Sequence, residues 1–219
     1  MSLDVSVKLG FDSELTVLFW NRMSEALNMT LHMEGKAGSH VHMGIGDLQA
    51  GASDYRIQAD MREDHSDMEL TSVCIAAHKH WHIDWNQYHS HTTGIMHHFA
   101  VVEENGDYLM EASGRIVQGA YEAQSHQSSR VLTMSQKQRS EVLPILYIDE
   151  NNVKASHATT LGQPDETQLY YLQSRGLSRN AALGLLRMGY LMPIVHVVDD
   201  ETWQGQLQQE MEEKVIRHD

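Results

Sequence analysis

Along the first two thirds of the chain apolar residues alternate with polar ones in short runs. These are Val5/Val7/Leu9, Leu15/Val17/Phe19, Met29/Leu31/Met33, Val41/Met43/Ile45 and Tyr55/Ile57/Ala59, then Met68/Leu70, Phe99/Val101 and Ile145/Tyr147. A two-residue period places the apolar side chains of a run on one face, as in a half-buried strand. Gly, Asn, Asp and Ser cluster between the runs and mark turns. The runs start about 12 to 14 residues apart, a spacing that fits either a β-sandwich or the successive strands of a coiled solenoid. Periodicity alone leaves both open. The chain has three prolines, and none precedes Pro144, in keeping with an unbroken strand ladder.

After Gly162 the period becomes helical. Pro164 suits a helix start, Asp165 and Glu166 complement the helix dipole there, and Gly176 is a natural stop. Ser178 then caps a second helix carrying Ala182, Leu185, Leu186 and Tyr190, which Pro193 interrupts. A third helix is predicted from Asp200 to about Arg217, where Trp203, Leu207, Met211 and Val215 form one apolar stripe. The expected division is a β region over 4–162 and a C-terminal helical region over 163–219. Met1, Ser2 and Leu3 precede the first run and are set aside.

A length of 219 residues with 41% hydrophobic content is enough for one sizeable core. The formal charge of -14 argues against nucleic acid, which needs clustered Lys and Arg. The single cysteine, Cys74, excludes an internal disulfide and fits a reducing cytoplasm. It also means that this chain cannot hold a four-iron cluster with thiolates alone, since such clusters take four. No apolar run approaches the roughly 18 residues of a membrane span, and no signal peptide is evident. No Walker-type loop, GxGxxG or GxSxG appears, and Gly44-Ile45-Gly46 is too short to count.

Histidine is the unusual residue. There are fifteen, seven of them between His78 and His98. His78, His80 and His82 alternate and so share one strand face, a grouping able to bind Fe or Zn through neutral imidazoles, or simply a polar ladder on a solvated sheet. Cys74, in a run of apolar neighbours, reads as a buried small hydrophobe.

The stretch Val153 to Gly176, VKASHATTLGQPDETQLYYLQSRG, carries the sharpest signal. With Pro144-Ile145-Leu146-Tyr147-Ile148 before it and Asn180 through Leu191 after it, it resembles the C-terminal core of the SufD/SufB family, scaffold subunits of the Suf iron-sulfur cluster assembly machinery. Ser113-Gly114-Arg115-Ile116, Ala123 through Arg130, and His82-Ile83-Asp84 through His89 are similar to further family passages, so the resemblance covers most of residues 80 to 195. It implies a mainly β fold, a right-handed parallel β-helix, followed by a small helical cap. The chain is about half the usual length and lacks the N-terminal helical domain, as a fragment or a naturally short member. In the SufD branch the residue matching His157 lies at the end of the β-helix by the dimer interface, where it is implicated in forming the nascent cluster with a cysteine of SufB. Ala155 stands where many SufD proteins have Cys. Ala158 stands where SufB has Glu, which favours SufD.

The resemblance implies a SufD-like scaffold without turnover of its own. It would pair with a SufB-like paralogue or with itself through its last strands, with a transient iron-sulfur cluster at His157 that this chain does not hold stably alone. The stripe on the last helix reads by default as core; the resemblance implies instead that the C-terminal helices recruit the SufC ATPase, with Trp203 and Leu207 facing that partner. Tyr170 and Tyr171 are expected to pack the first helix on the final coil, with Arg175 pairing a carbonyl or carboxylate. Two other readings stand beside it: a metal-dependent enzyme using the His78 to His98 group with Asp84 or Glu103 as base, and a β-solenoid interaction module without chemistry.

Overall fold

Described over residues 1–216 in a computed structural model, the chain forms strands that all pair in parallel. In order they are β1 (Ser2–Lys8), β2 (Glu14–Asn21), β3 (Leu27–Gly35), β4 (His40–Asp47), β5 (Ser53–Met61), β6 (Asp67–Gln87), β7 (Thr93–Ile116), β8 (Gln124–Thr133), β9 (Arg139–Ile148) and β10 (Lys154–Gly162). One ladder runs β1, β3, β5, the second half of β6, the second half of β7 and β9. The other runs β2, β4, the first half of β6, the first half of β7, β8 and β10. The chain therefore winds through about six turns of a β-solenoid, using one strand of each ladder per turn. Each alternating run seen in the sequence is half a turn.

The repeat is 26 residues between β3 and β5 and between β5 and β6, so Asp60 and Asn86 sit side by side and share a hydrogen bond. In a parallel, in-register ladder matching positions point the same way, and strands lie about 4.8 Å apart. Like side chains therefore stack. Leu31, Ile57, Ile83 and Ala112 form one lumenal column, and the Tyr55 ring lies on that of Trp81 at 5.0 Å between centroids. A second column, Val41, Met68 and Leu15, closes the opposite wall.

The corners repeat as well. Asp12, Gly38, His65, His91 and Glu122 occupy matching turns and all have positive φ, between 49° and 68°. Short polar side chains tolerate this left-handed region better than branched ones do. Stacking of the corners brings the His65 and His91 rings parallel at 4.7 Å. Two of the histidines are thereby turn residues. The first residues also belong to the solenoid: Ser2 and Leu3 pair with Asn28 and Met29, so the strand begins ahead of the run that starts at Val5.

Three helices follow, α1 (Glu166–Ser174), α2 (Arg179–Leu191) and α3 (Glu201–Ile216), with a 3-10 turn over Met192–Val197 between the last two. Asp165 caps α1 by accepting from the Thr167 amide at 2.7 Å, and Ser178 caps α2 by accepting from Ala181 at 3.1 Å. Gly176, at φ +95°, follows the Arg175 cap and ends the first helix as its place in the sequence predicts. The expected end of the third helix at Arg217 lies outside the described residues.

The helices do not close the end of the solenoid. They lie back along its flank, burying Ile194, Val195, Val197, Leu207, Met211 and Val215 against Leu48, Val73, Ile75 and Val101. Gly44 makes room for this approach, since a Cβ there would meet Ile194 and Val197 at 3.1 Å. Glu210 of α3 accepts from Trp20 Nε1 at 2.7 Å and from Arg22 at 2.6 Å, tying the last helix to the first turns. Tyr170, Tyr171 and Leu185 are exposed, because the faces of α1 and α2 that carry them turn away from the flank. Tyr171 meets Arg175, whose guanidinium lies 5.2 Å from its ring centre.

Candidate functional site

Among the described residues the solenoid has an unpaired edge at each end: β1 pairs only with β3 and β2 only with β4 in the first turn, and the last turn forms the other end. Among the described residues β9 pairs only with β7 and β10 only with β8, so each presents one free edge of backbone N–H and C=O groups. Leu143, Tyr147, Ile148 and Leu161, all on these two strands, are exposed. An apolar, unpaired edge of this kind is the arrangement that another strand completes.

His157 stands on that edge. It is in register with Gln127, which points into the lumen and is buried, so His157 takes the inward-facing phase of β10 at the rim of the open end. The neighbouring Ser156 takes the outward phase and shares a hydrogen bond of 2.8 Å with Nδ1 of His126. Beneath the rim the lumen turns polar. Ser125, Gln127 and Ser129 of β8 are buried; Gln127 follows Met96 and Leu70 of the earlier turns, Ser125 follows Gly94 and Met68, Ser129 follows His98 and Ser72, and Ala155, His157 and Thr159 cover them. One strand further in, His98 is buried, with Nδ1 at 2.7 Å from Ser72 Oγ.

The His78, His80 and His82 group is arranged differently from a metal centre. A register shift between Ala76 and His78 re-phases β6, and the three then point outward along one face. His80 Nε2 meets Asp107 at 3.0 Å. His82 meets Asp84 through Nε2 at 2.9 Å and Glu111 through Nδ1 at 3.6 Å, so the two carboxylates occupy opposite sides of one ring. Residues two apart on a strand are about 6.6 Å apart along it. Among the described residues no group of three or more His, Cys, Asp or Glu converges as metal ligands would. Of the three alternating histidines, His80 and His82 are members of imidazole–carboxylate pairs on an outward sheet face. Glu103, a candidate base, is taken up by Arg187 of α2 at 3.1 Å.

Cys74 is fully buried, and burial pushes its thiol well above the ordinary range, with the Lys79 charge pulling weakly the other way. A thiol held neutral is a poor nucleophile and ligand. The two residues expected to face a partner on α3 part company: Leu207 is 1% exposed and belongs to the chain's own core, whereas Trp203 is half exposed. A separate groove of about 400 Å³ lies between α2 and the C-terminal part of α3, lined by Leu177, Leu183, Leu185, Met188 and Val215, with Trp203 at the other end of that helix.

Two features escaped the sequence reading. One is the polar lumen of Ser125, Gln127 and Ser129, whose signal was their odd-numbered spacing in phase with apolar Val131. The other is Lys79, fully buried and paired with Asp47 at 2.9 Å. It lies in the inward phase of Trp81, Ile83 and Trp85, which a reader of the alternation could have noticed.

Comparison with known proteins agrees with this architecture. The pattern of the domain described as SUF system FeS cluster assembly, SufBD core domain, matches residues 5–190. The iron-sulfur cluster assembly protein SufD of Bacillus subtilis is 40% identical over 115 residues, 52% of this chain and 26% of that protein. A SufBD family protein of Pyrococcus horikoshii is 28% identical over 186 residues, covering 83% of this chain and 41% of its own length. SufD of Escherichia coli is 21% identical over 199 residues, 89% of this chain and 45% of that protein. The chain thus spans less than half the length of these relatives, and no helix among its described residues is long and apolar enough to cross a membrane. With the solenoid, its open final turn and a match over residues 5–190 in agreement, the chain belongs to the SufBD core family of the SUF iron-sulfur cluster assembly system.

Proposed function

We propose that this chain is a SufD-like scaffold that pairs with a SufB-like chain, or with a second copy of itself, through β9 and β10, and offers His157 to a nascent iron-sulfur cluster in that interface. The observation that carries the reading is the position of His157 on the rim of an open, apolar-edged last turn. A partner strand added there would bring its own side chains within reach of the imidazole. A neutral imidazole is a competent iron ligand. The chain's one cysteine is buried and its thiol held neutral, so the thiolates would come from the partner. The cluster is cargo, and the chain performs no turnover of its own. A free strand edge is self-complementary across a two-fold axis, which makes the symmetric pair a simple alternative to the mixed one. The site is cytoplasmic in this reading.

Trp203, half exposed at the start of α3, is the residue we assign to the contact with the SufC ATPase, which would bring the nucleotide chemistry. Trp203→Ala is expected to abolish co-purification with SufC while moving the unfolding free energy by less than about 0.5 kcal/mol, as for an exposed residue. Unchanged co-purification removes Trp203 from that surface.

The central test is anaerobic iron and sulfide reconstitution of the Suf complex with wild-type or His157→Ala chain, followed by cluster absorbance and complex mass. Normal mass with lost absorbance is the expected result. Normal mass with unchanged absorbance makes His157 a structural rim residue, and the chain's role reduces to holding partners together.

A further inference from the structure

Buried polar side chains are normally fully bonded, because an unmet donor or acceptor costs about 1–3 kcal/mol. Gln127 is 4% exposed and half satisfied. Its Nε2 donates to the carbonyl of Ile145 at 3.0 Å, bridging from β8 to β9 across the lumen. Only the NH₂ end of the amide bonds a carbonyl, so this contact fixes the orientation of the group. Oε1 is left buried with no protein partner.

No side chain bonds that oxygen in the structure, and Ser125 Oγ and His98 Nε2, on the same inward face, are likewise buried without a partner; the ladder gives its neighbours on the adjacent strands. Gln127 lies between Met96 of β7 and His157 of β10, each in register with it. A thioether donates nothing, whereas an imidazole N–H does. Strand spacing of about 4.8 Å puts the ring one layer above the amide. The place for the amide is also built: a Cβ on Gly114 would stand 3.0 Å from Gln127 Nε2 and 2.4 Å from Ser125 Oγ. Glycine there keeps the lumen open for the Gln127 side chain.

We propose that Gln127 is the positioning residue for His157: its Oε1 accepts from one ring N–H, which holds the imidazole in a single tautomer with the lone pair of the other nitrogen facing out of the open end. The amide bond to Ile145 sets the acceptor, the acceptor sets the tautomer, and the tautomer presents a ligating nitrogen to whatever closes the last turn. Orienting partners of this kind are worth about 10–100-fold in metal affinity. The consequence for clusters rests on the reading of His157 given above; the tautomer itself does not.

The test separates the two. Imidazole ¹⁵N chemical shifts of His157 are recorded on the whole chain under mildly alkaline conditions, for wild type and Gln127→Leu. Wild type is expected to show one neutral tautomer and Gln127→Leu the two-tautomer mixture of a free imidazole. A mixture in wild type, or an unchanged ring in Gln127→Leu, overturns the proposal and leaves Oε1 to a buried water. Reconstitution of the Suf complex with Gln127→Leu is then expected to lose about tenfold in cluster yield at limiting iron. A locked tautomer combined with full cluster formation by His157→Ala keeps the positioning role and rejects the cluster reading. The reverse pair of results keeps the cluster reading and rejects Gln127.

Discussion

Lys79→Met is expected to destabilise the protein by about 3–5 kcal/mol, the range for removing one partner of a buried ion pair. The side chains of Lys79 and Asp47 are both fully buried, with Nζ 2.9 Å from Oδ1. The remaining bonds explain why the pair is tolerated. Lys79 Nζ also donates to the Gly51 carbonyl at 2.7 Å, and Asp47 accepts from the Tyr55 hydroxyl at 2.9 Å and from the Gln49 amide at 3.2 Å. Tyr55 remains a donor because burial, reinforced by the Asp47 charge, drives its phenol far above the ordinary range. Taking away the ammonium leaves a carboxylate in the lumen with no countercharge. Lys79→Met combined with Asp47→Asn removes that charge while keeping an acceptor for Tyr55, and is expected to recover more than half of the loss. Urea unfolding midpoints at unchanged slope give the comparison. A loss below about 1 kcal/mol for the single variant would show that water reaches the carboxylate.

That pair also marks where the sequence stops being legible. Alternation in Met29/Leu31/Met33 and Val41/Met43/Ile45 places those side chains in the lumen, where the structure has them. It does not distinguish sandwich from solenoid, because both bury every second residue; the family passages around His157 and between His82 and Arg130 did so. In β6 the shift between Ala76 and His78 changes which parity faces inward, so Met68, Leu70 and Cys74 are lumenal before it and Lys79, Trp81 and Ile83 after it. A period read across that point is blurred, and Lys79 disappears among the histidines. The face shared by His78, His80 and His82 was readable, but their partners were not. Asp107 and Glu111 come from a strand one turn later, at a distance set by a 29-residue step where earlier turns use 26. On α3 the stripe was legible, but Leu207 faces the chain's own core and not a partner, while Trp203 is half exposed. Leu207 and Met211 face the chain's own Val73 and Ile75, because the helices fold back along the flank, and helical periodicity carries no information on where a helix lies. Of the candidate site, His157 was legible and Gln127 beneath it was not, since register between coils is a property of the fold.

His98 predicts a distinct acid sensitivity. Its ring is sealed in the lumen, with Nδ1 on Ser72 and no protein partner at Nε2, and burial, helped by neighbouring His97, pushes its pKa down to about 3. An unfolded histidine takes up its proton near 6.5. Between those two values the unfolded chain holds one more proton than the native one, so stability rises with pH and falls as the solution is acidified. The slope for one such group approaches about 1.4 kcal/mol per pH unit, or about 2 kcal/mol lost between about pH 8 and pH 5. The carboxylates whose pKa lies below its usual value act in another window. Burial alone would raise Asp60, but hydrogen bonds from Gln58, Asn86 and His32 and the charge of Arg62 prevail; Glu210 is held down chiefly by its hydrogen bond from Arg22. Their contributions are present above the unfolded carboxylate range, near 4, and fade only as pH falls through it. The interval from about pH 6.5 to 5 therefore reports on His98 rather than on acids. His98→Gln keeps a bonding partner for Ser72 and cannot titrate, so its unfolding free energy is expected to stay about 2 kcal/mol flatter than the wild type between about pH 8 and pH 5. Parallel curves for the two proteins would mean that the native imidazole is protonated in place, with water or a rearranged Ser72 reaching Nε2 inside the solenoid.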